Sequence, residues 1–260
     1  MDNIKNNVNE AIASLNAIRD KIVEKGVDVA EGTKTRLYAN KVDEVFKAGE
    51  DGLWDIIQNY GNRTNYSSGF ARWGIEYIRP KYKVVVTDGQ GAIQIFRDNK
   101  ILKKVEAKYF DLSQKPTGTN NNYGYYYMFS GCDRLEEIED IGMIPQHNYI
   151  SCFSSCGMLH TIAKMGVNEN TKYENTFKSC IALENITIEG TIGQNGFDIH
   201  WSTLLSADSL KSIINALSTT TTGLTITLPT TAQSNYESKY GSGTWATLTA
   251  TRSNWTIAYA

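Results

Sequence analysis

The sequence predicts an α+β chain in three parts: an N-terminal helical segment over 1–32, a small helical and β adaptor over 33–120, and a repeat domain with a capping unit over 121–260. Three observations carry this. Apolar residues near the start recur at alternating spacings of four and three, the texture turns β-rich after Pro80, and the stretch from Tyr125 to Gly190 states one pattern three times. Phe129, Cys132, Leu135 and Ile138 return as Phe153, Cys156, Leu159 and Ile162, then as Phe177, Cys180, Leu183 and Ile186, always 24 residues on. Tyr125, Tyr149 and Tyr173 keep the same phase, and so do Gly142, Gly166 and Gly190. Columns that stay in register over three units define an internal repeat.

One such unit is too short to bury its own apolar face, so the units must stack and share a core. The Leu-x-x-Ile segment suits a short strand, laid about 4.8 Å from its neighbour. The Tyr-x-x-x-Phe-x-x-Cys segment before it suits one or two helical turns, with Phe and Cys pointing inward. The Gly column supplies a turn with positive φ at little steric cost. Outward positions around the strand are then Glu137 and Glu139, Thr161 and Ala163, and Asn185 and Thr187. The units YYYMFSGCDRLEEI, YISCFSSCGMLHTI and YENTFKSCIALENI resemble BspA-like leucine-rich repeats, over about a quarter of the chain. That resemblance implies a short leucine-rich-repeat solenoid acting as a contact module, as in surface proteins of gut bacteria and structural proteins of their phages.

The first helix is predicted from Asn3 to Lys25, ended by Gly26 as a C-terminal cap. Ile4, Val8, Ala11, Leu15, Ile18 and Ile22 form a heptad seam, and Ile at the second core position favours a trimer or tetramer over a dimer, the trimer being the leading expectation. The alternative is an amphipathic helix packed on its own domain. A second helix is expected from Thr35 to Lys47, and a third over LWDIIQNY. KGVDVAEGTKTRLYANKVDEVFKAG, with the following GNRTNYSSGFARWG, resembles the linker and small helical module of minor structural or tail proteins of phages of gut bacteria.

KYKVVVTD and AIQIFRDNKILKKVEAKYF contain strands, with DGQG as one turn and Asp98-Asn99 as the tight turn of a hairpin. Ser113 to Gly124 is a polar loop. Beyond Gly190, Leu204, Ala207, Leu210 and Ile213 repeat the rhythm at a spacing of 27, as a degenerate fourth unit. Ser206 caps the helix ADSLKSIINAL. LTITLP is a strand, TAQSNYESKYG a short helix and NWTIAY a final strand, together closing the last unit of the stack.

No constellation of catalytic residues emerges. The three histidines, His147, His160 and His200, share no motif with a nucleophile. Cys152, Cys156 and His160 are four apart, but Cys156 belongs to the inward column and no fourth ligand accompanies them. Glu136, Glu137, Glu139 and Asp140 crowd one unit and read as a solvated face. No enzyme activity, cofactor or metal is expected. The Tyr125, Tyr149 and Tyr173 column has two readings, packing on the convex side or against a neighbouring subunit, or contact with a ligand such as a sugar, with Glu137 and Glu139 as further candidate contacts.

A formal net charge of −2 gives no reason to expect nucleic acid as partner. No apolar run reaches the ~18 residues of a membrane span, so no membrane insertion is expected. Residues 1–25 show no secretory signal pattern, which favours a virion protein over an exported one. The expectation is therefore a bacteriophage virion structural protein of a tail, baseplate or fibre appendage. Its partners are other virion proteins, further copies of itself as a trimer, and a host-surface glycan or protein. The alternative is a leucine-rich-repeat adhesin on a bacterial cell surface.

Overall fold

The computed structural model describes residues 69–72, 76–78, 83–86, 92–113 and 124–260. All belong to the second of two compact units, the one comprising Thr64–Ile78 and Lys83–Ala260. The heptad positions Ile4, Val8, Ala11, Leu15, Ile18 and Ile22, the second and third helices and most of the Ser113–Gly124 loop lie outside the described residues.

The 24-residue period is one step across a parallel sheet. The described strands are β1 (Val84–Val85), β2 (Lys104–Val105), β3 (Phe110–Asp111), β4 (Glu137–Ile138), β5 (Thr161–Val167), β6 (Asn185–Gly190), β7 (Leu224–Leu228) and β8 (Trp255–Tyr259). Three helices accompany them, α1 (Ala207–Ala216), α2 (Ala232–Tyr240) and α3 (Thr244–Ala250). Strands β2, β4, β5 and β6 form one sheet in that order, β1 pairs with β3, and β7 pairs with β8, all parallel. Val105, Ile138, Ile162 and Ile186 align across the four strands with their side chains inward. Lys104, Glu137, Thr161 and Asn185 align one residue earlier, on the opposite face.

The repeat columns form the core. None of the twelve Phe, Cys, Leu and Ile side chains is more than 3% exposed. Burying each large one contributes roughly 1.5–3 kcal/mol. The phenyl rings stack coil on coil: Phe129 on Phe153 at 5.8 Å and 10°, Phe153 on Phe177 at 5.7 Å and 21°.

This column runs upstream of Tyr125. Phe96 stacks on Phe129 at 5.0 Å and 4°, and Phe70 on Phe96 at 5.7 Å and 15°. The hairpin expected at Asp98-Asn99 is not formed: β2 runs parallel to β4, and β1 parallel to β3. The reason is spacing. Phe96, Leu102 and Val105 are six and three apart, as are Phe129, Leu135 and Ile138, so the same inward pattern folds the same way.

The segment before each strand is a chain of turns and not the helical turns expected. Two left-handed residues interrupt it in every coil, Tyr127, Ser151 and Asn175 in one column and Gly131, Ser155 and Ser179 in the other. Glycine and asparagine accept this conformation readily, while the stack holds Tyr127, Ser151, Ser155 and Ser179 in the same conformation. Its effect is to aim alternate N–H groups at the next coil. Tyr149, Ser151, Phe153 and Ser155 donate to the carbonyls of Lys172, Glu174, Thr176 and Lys178 at 2.8–3.0 Å. Each coil is thus hydrogen-bonded to its neighbour on two sides, once through the sheet and once through the turns.

At the C-terminal end the expected spacing of 27 is replaced by 22. Leu205 fills the Leu column and Leu204 is 55% exposed. The Ser206 N–H donates to the Glu184 carbonyl at 2.8 Å, just as Glu184 donates to His160 in the coil before. Phe197 continues the ring column at 5.4 Å from Phe177. Helix α1 begins at the predicted cap, Ser206, whose hydroxyl accepts the Ser209 N–H. It lies along β6, where the next strand would otherwise be. The expected strands LTITLP and NWTIAY are β7 and β8, and α2 is the expected polar helix.

Candidate functional site

The outward face of the β2–β4–β5–β6 sheet holds two of the candidate contact residues. Glu137 and Glu139 lie on either side of the inward Ile138, so pleating carries both to the outer face. Lys104, on the neighbouring strand, bridges them, with Nζ 3.0 Å from Glu137 and 2.7 Å from Glu139. Glu139 also accepts the Ala107 N–H at 2.8 Å. The Lys104 ammonium and that N–H hold the Glu139 carboxyl below the ordinary carboxylate range, and the two carboxylates raise the Lys104 ammonium. Lys164 forms a second cluster with Asp140 at 3.3 Å and Glu189 at 3.0 Å. Across the sheet Ala163, Asn185 and Thr187 are exposed, with Thr161 half-buried. The face is polar and fixed by the sheet beneath it. Chemically it offers charged and hydrogen-bonding groups at set spacings.

The tyrosine column lies elsewhere. Tyr125, Tyr149 and Tyr173 are at most 1% exposed. The Tyr149 hydroxyl donates to the Gly166 carbonyl at 2.9 Å, and the Tyr125 hydroxyl accepts the Ile144 N–H at 2.9 Å. Tyr125 and Tyr149 rings sit 5.0 Å apart, facing interior neighbours. Burial pushes all three hydroxyls upward from the usual phenol range. Their ring faces are not offered to a dissolved ligand, so the five candidate residues do not converge on one site.

All four cysteines are buried free thiols. Cys132, Cys156 and Cys180 donate to the carbonyls of Phe96, Phe129 and Phe153 at 3.1, 3.1 and 3.0 Å, each in the preceding coil. Burial pushes the Cys132 and Cys180 thiols up to about 12. Cys152 and Cys156 are interior, whereas His160 is exposed with Nδ1 3.1 Å from the Thr161 hydroxyl.

Sequence reasoning missed a set of exposed apolar side chains near the Cys column. Met158 is 51% exposed, Ile181 58%, Leu204 55% and Trp201 42%. For Met158, Ile181 and Trp201 the available signal was their position close to a buried Cys or Ser and outside every repeated apolar column, whereas Leu204 reads from the sequence as part of the fourth unit. It also missed Lys104 and Lys164, whose partners come from different strands.

Among the described residues no helix is long and apolar enough to cross a membrane. Comparison with known family models, curated proteins and solved structures finds no match to this chain.

Proposed function

We propose that the chain is a bacteriophage virion structural protein of a tail, baseplate or fibre appendage. It acts by protein–protein or host-surface contact and carries out no reaction. The observation that supports a contact role is the outer sheet face. There Lys104, Glu137 and Glu139 are tied together across adjacent strands, with exposed Asn185 and Thr187 on the same sheet's β6. Such a face suits many modest contacts. The assignment to a virion draws on the resemblance of the repeat units to BspA-like leucine-rich repeats and of the preceding segment to phage minor structural proteins. The heptad at Ile4, Val8, Ala11, Leu15, Ile18 and Ile22 would gather three copies, and multivalency multiplies the effect of weak contacts.

Mass spectrometry of density-purified virions tests this. Peptides of this chain at constant ratio to the major tail protein are expected. Recovery only in the bacterial envelope fraction overturns the virion reading and favours the cell-surface adhesin. In virions, reversing the face with Glu137→Lys and Glu139→Lys is expected to impair assembly or adsorption while leaving the fold intact.

A further inference from the structure

The stack is covered at one of its two finishing edges. On the sheet side, α1 lies over β6 and its serines take the strand's outward N–H groups: Ile186 donates to Ser209 Oγ and Ile188 to Ser212 Oγ, both at 2.9 Å. On the turn side the stack continues from Phe197–Ile199 to β7, with the Thr227 N–H donating to Phe197 and the Ile199 N–H to Thr227 at 3.2 and 3.0 Å. From β7 it passes to β8, the last strand described. Asn254 and Ala260 bond towards β7, through Gly223 N–H to Asn254 at 3.3 Å and Ala260 N–H to Leu228 at 3.1 Å. Backbone groups alternate sides along a strand. Ile257 and Tyr259 therefore turn their N–H and C=O away from β7, and no described residue pairs with that side. The Trp255 N–H alone is taken, by the Arg252 carbonyl at 2.9 Å.

Natural edge strands are guarded by charge, proline or a bulge. Trp255–Tyr259 has none of these: it pairs in unbroken register with β7 and carries no charged residue and no proline. Its sequence is also a near-palindrome, aromatic, small, Ile, small, aromatic. Turned end for end about Ile257, Trp255 meets Tyr259, Thr256 meets Ala258 and Ile257 meets itself. That self-complementarity identifies the occupant, because an isologous contact needs a surface matching its own twofold image.

We propose that β8 is a self-pairing edge through which two copies of the chain join antiparallel, with the twofold axis at Ile257. Each Ile257 N–H donates to the Ile257 carbonyl of the second copy, and each Tyr259 N–H to its Trp255 carbonyl. The inference stands independently of the virion reading and of the N-terminal heptad proposed above, which involves different residues.

The test uses the full-length chain and Ile257→Pro. Proline there removes an N–H that no intramolecular bond uses and keeps an extended φ. Sedimentation is expected to show that this variant weakens self-association by roughly tenfold or more. In the parent protein, amide exchange at Ile257 and Tyr259 is expected to slow as concentration rises, while Ala258 and Ala260 stay protected at every concentration. Mild oxidation of a mixture of Thr256→Cys and Ala258→Cys chains should cross-link them, since these residues form the closer, non-hydrogen-bonded pair, and neither variant alone should. Unchanged association of Ile257→Pro, or concentration-independent exchange at Ile257 and Tyr259, overturns the proposal.

Discussion

The Cys156 sulfur lies 3.1 Å from the carbonyl oxygen of Phe129, one coil back, with the thiol as donor. The same bond recurs at Cys132 and Cys180, so the column both fills space and satisfies a carbonyl at each step. Removing the donor and the sulfur together opens a small void and takes away one of the two donors to the oxygen, which keeps the Cys132 N–H at 3.0 Å. Cys156→Ala is expected to cost about 1–3 kcal/mol. Cys156→Ser keeps a donor and should cost less. Urea unfolding midpoints at constant slope decide it; equal midpoints for the two variants would remove the hydrogen bond from the account.

The thiolate, not the thiol, is the reactive species. With Cys132 and Cys180 pushed up to about 12 by burial, and Cys152 and Cys156 raised for the same reason, none is ionised near pH 8. Iodoacetamide at that pH is expected to leave all four unlabelled in the folded protein and to label all four in denaturant. Mass spectrometry reads the count; prompt labelling of any one in the native state contradicts its placement.

Much of this core was legible because the repeat marks its own register. Once Phe129, Phe153 and Phe177 are aligned, the inward Ile138, Ile162 and Ile186 follow from strand alternation. The upstream coils at Phe70 and Phe96 were harder to see, since Asn99 stands where the others have Cys and the spacing stretches from 24 to 33 between Phe96 and Phe129. Asp98-Asn99 then reads as a hairpin turn, although the left-handed Asp98 occupies the same column as Gly131, Ser155 and Ser179. Local turn chemistry could not distinguish the two outcomes; the six-and-three spacing of Phe96, Leu102 and Val105 could. For the sheet face, Glu137 and Glu139 could be placed from pleating alone. Their partner Lys104 could not, because pairing depends on which strand lies next to β4.

Glycine at the repeat's end answers to close approach. A Cβ on Gly166 would lie 2.4 Å from the Met143 carbonyl oxygen and 3.1 Å from the Pro145 nitrogen, both backbone atoms that cannot swing away. Gly166→Ala is expected to destabilise by about 1–3 kcal/mol through overpacking. Gly157 supplies the contrast, with no heavy atom within 4 Å of its added Cβ. Gly157→Ala is expected to be neutral or to stabilise by up to about 1 kcal/mol through the unfolded chain. Thermal midpoints of the two variants should move in opposite directions or differ clearly in size.

The Lys104 cluster predicts a pH profile with two limbs. Glu139 is depressed chiefly by its bond to Lys104, so its contribution is present above the unfolded value of about 4.3 and is lost as pH falls through the folded one. Lys104 is raised chiefly by Glu139, then Glu137, so its contribution is full below about 10.4 and is lost as pH rises through the folded value. The groups are partly exposed and the effect is modest and salt-sensitive. Lys104→Met is expected to flatten both limbs of the melting temperature against pH, lowering it most in the middle of the range and least at the two extremes. A variant profile parallel to that of the parent at both ends would rule out this pairing as the cause.

Helix α1 shows how a stack can end without exposing a strand edge. Ser209 and Ser212 are three apart, which sets their hydroxyls on one helix face and one strand pitch apart along β6. Ser209 Oγ accepts the Ile186 N–H and donates to the Glu184 carbonyl, both at 2.9 Å, so one hydroxyl does what a neighbouring strand's backbone would do with two groups. Ile186 is 3% exposed and its N–H has no ready access to water if the hydroxyl is removed. Ser209→Ala is therefore expected to cost about 1–3 kcal/mol, the penalty of a buried unsatisfied donor, since the Glu184 carbonyl keeps the Ser206 N–H. Ser212→Ala should cost less, because Ile188 at 8% exposed lies nearer the surface. Hydrogen exchange gives the residue-level readout, with faster exchange at Ile186 in the first variant and at Ile188 in the second. If Ser209→Ala keeps both its urea midpoint and the protection of Ile186, then apolar packing of Leu210, Ile213 and Ile214 alone closes the end of the stack.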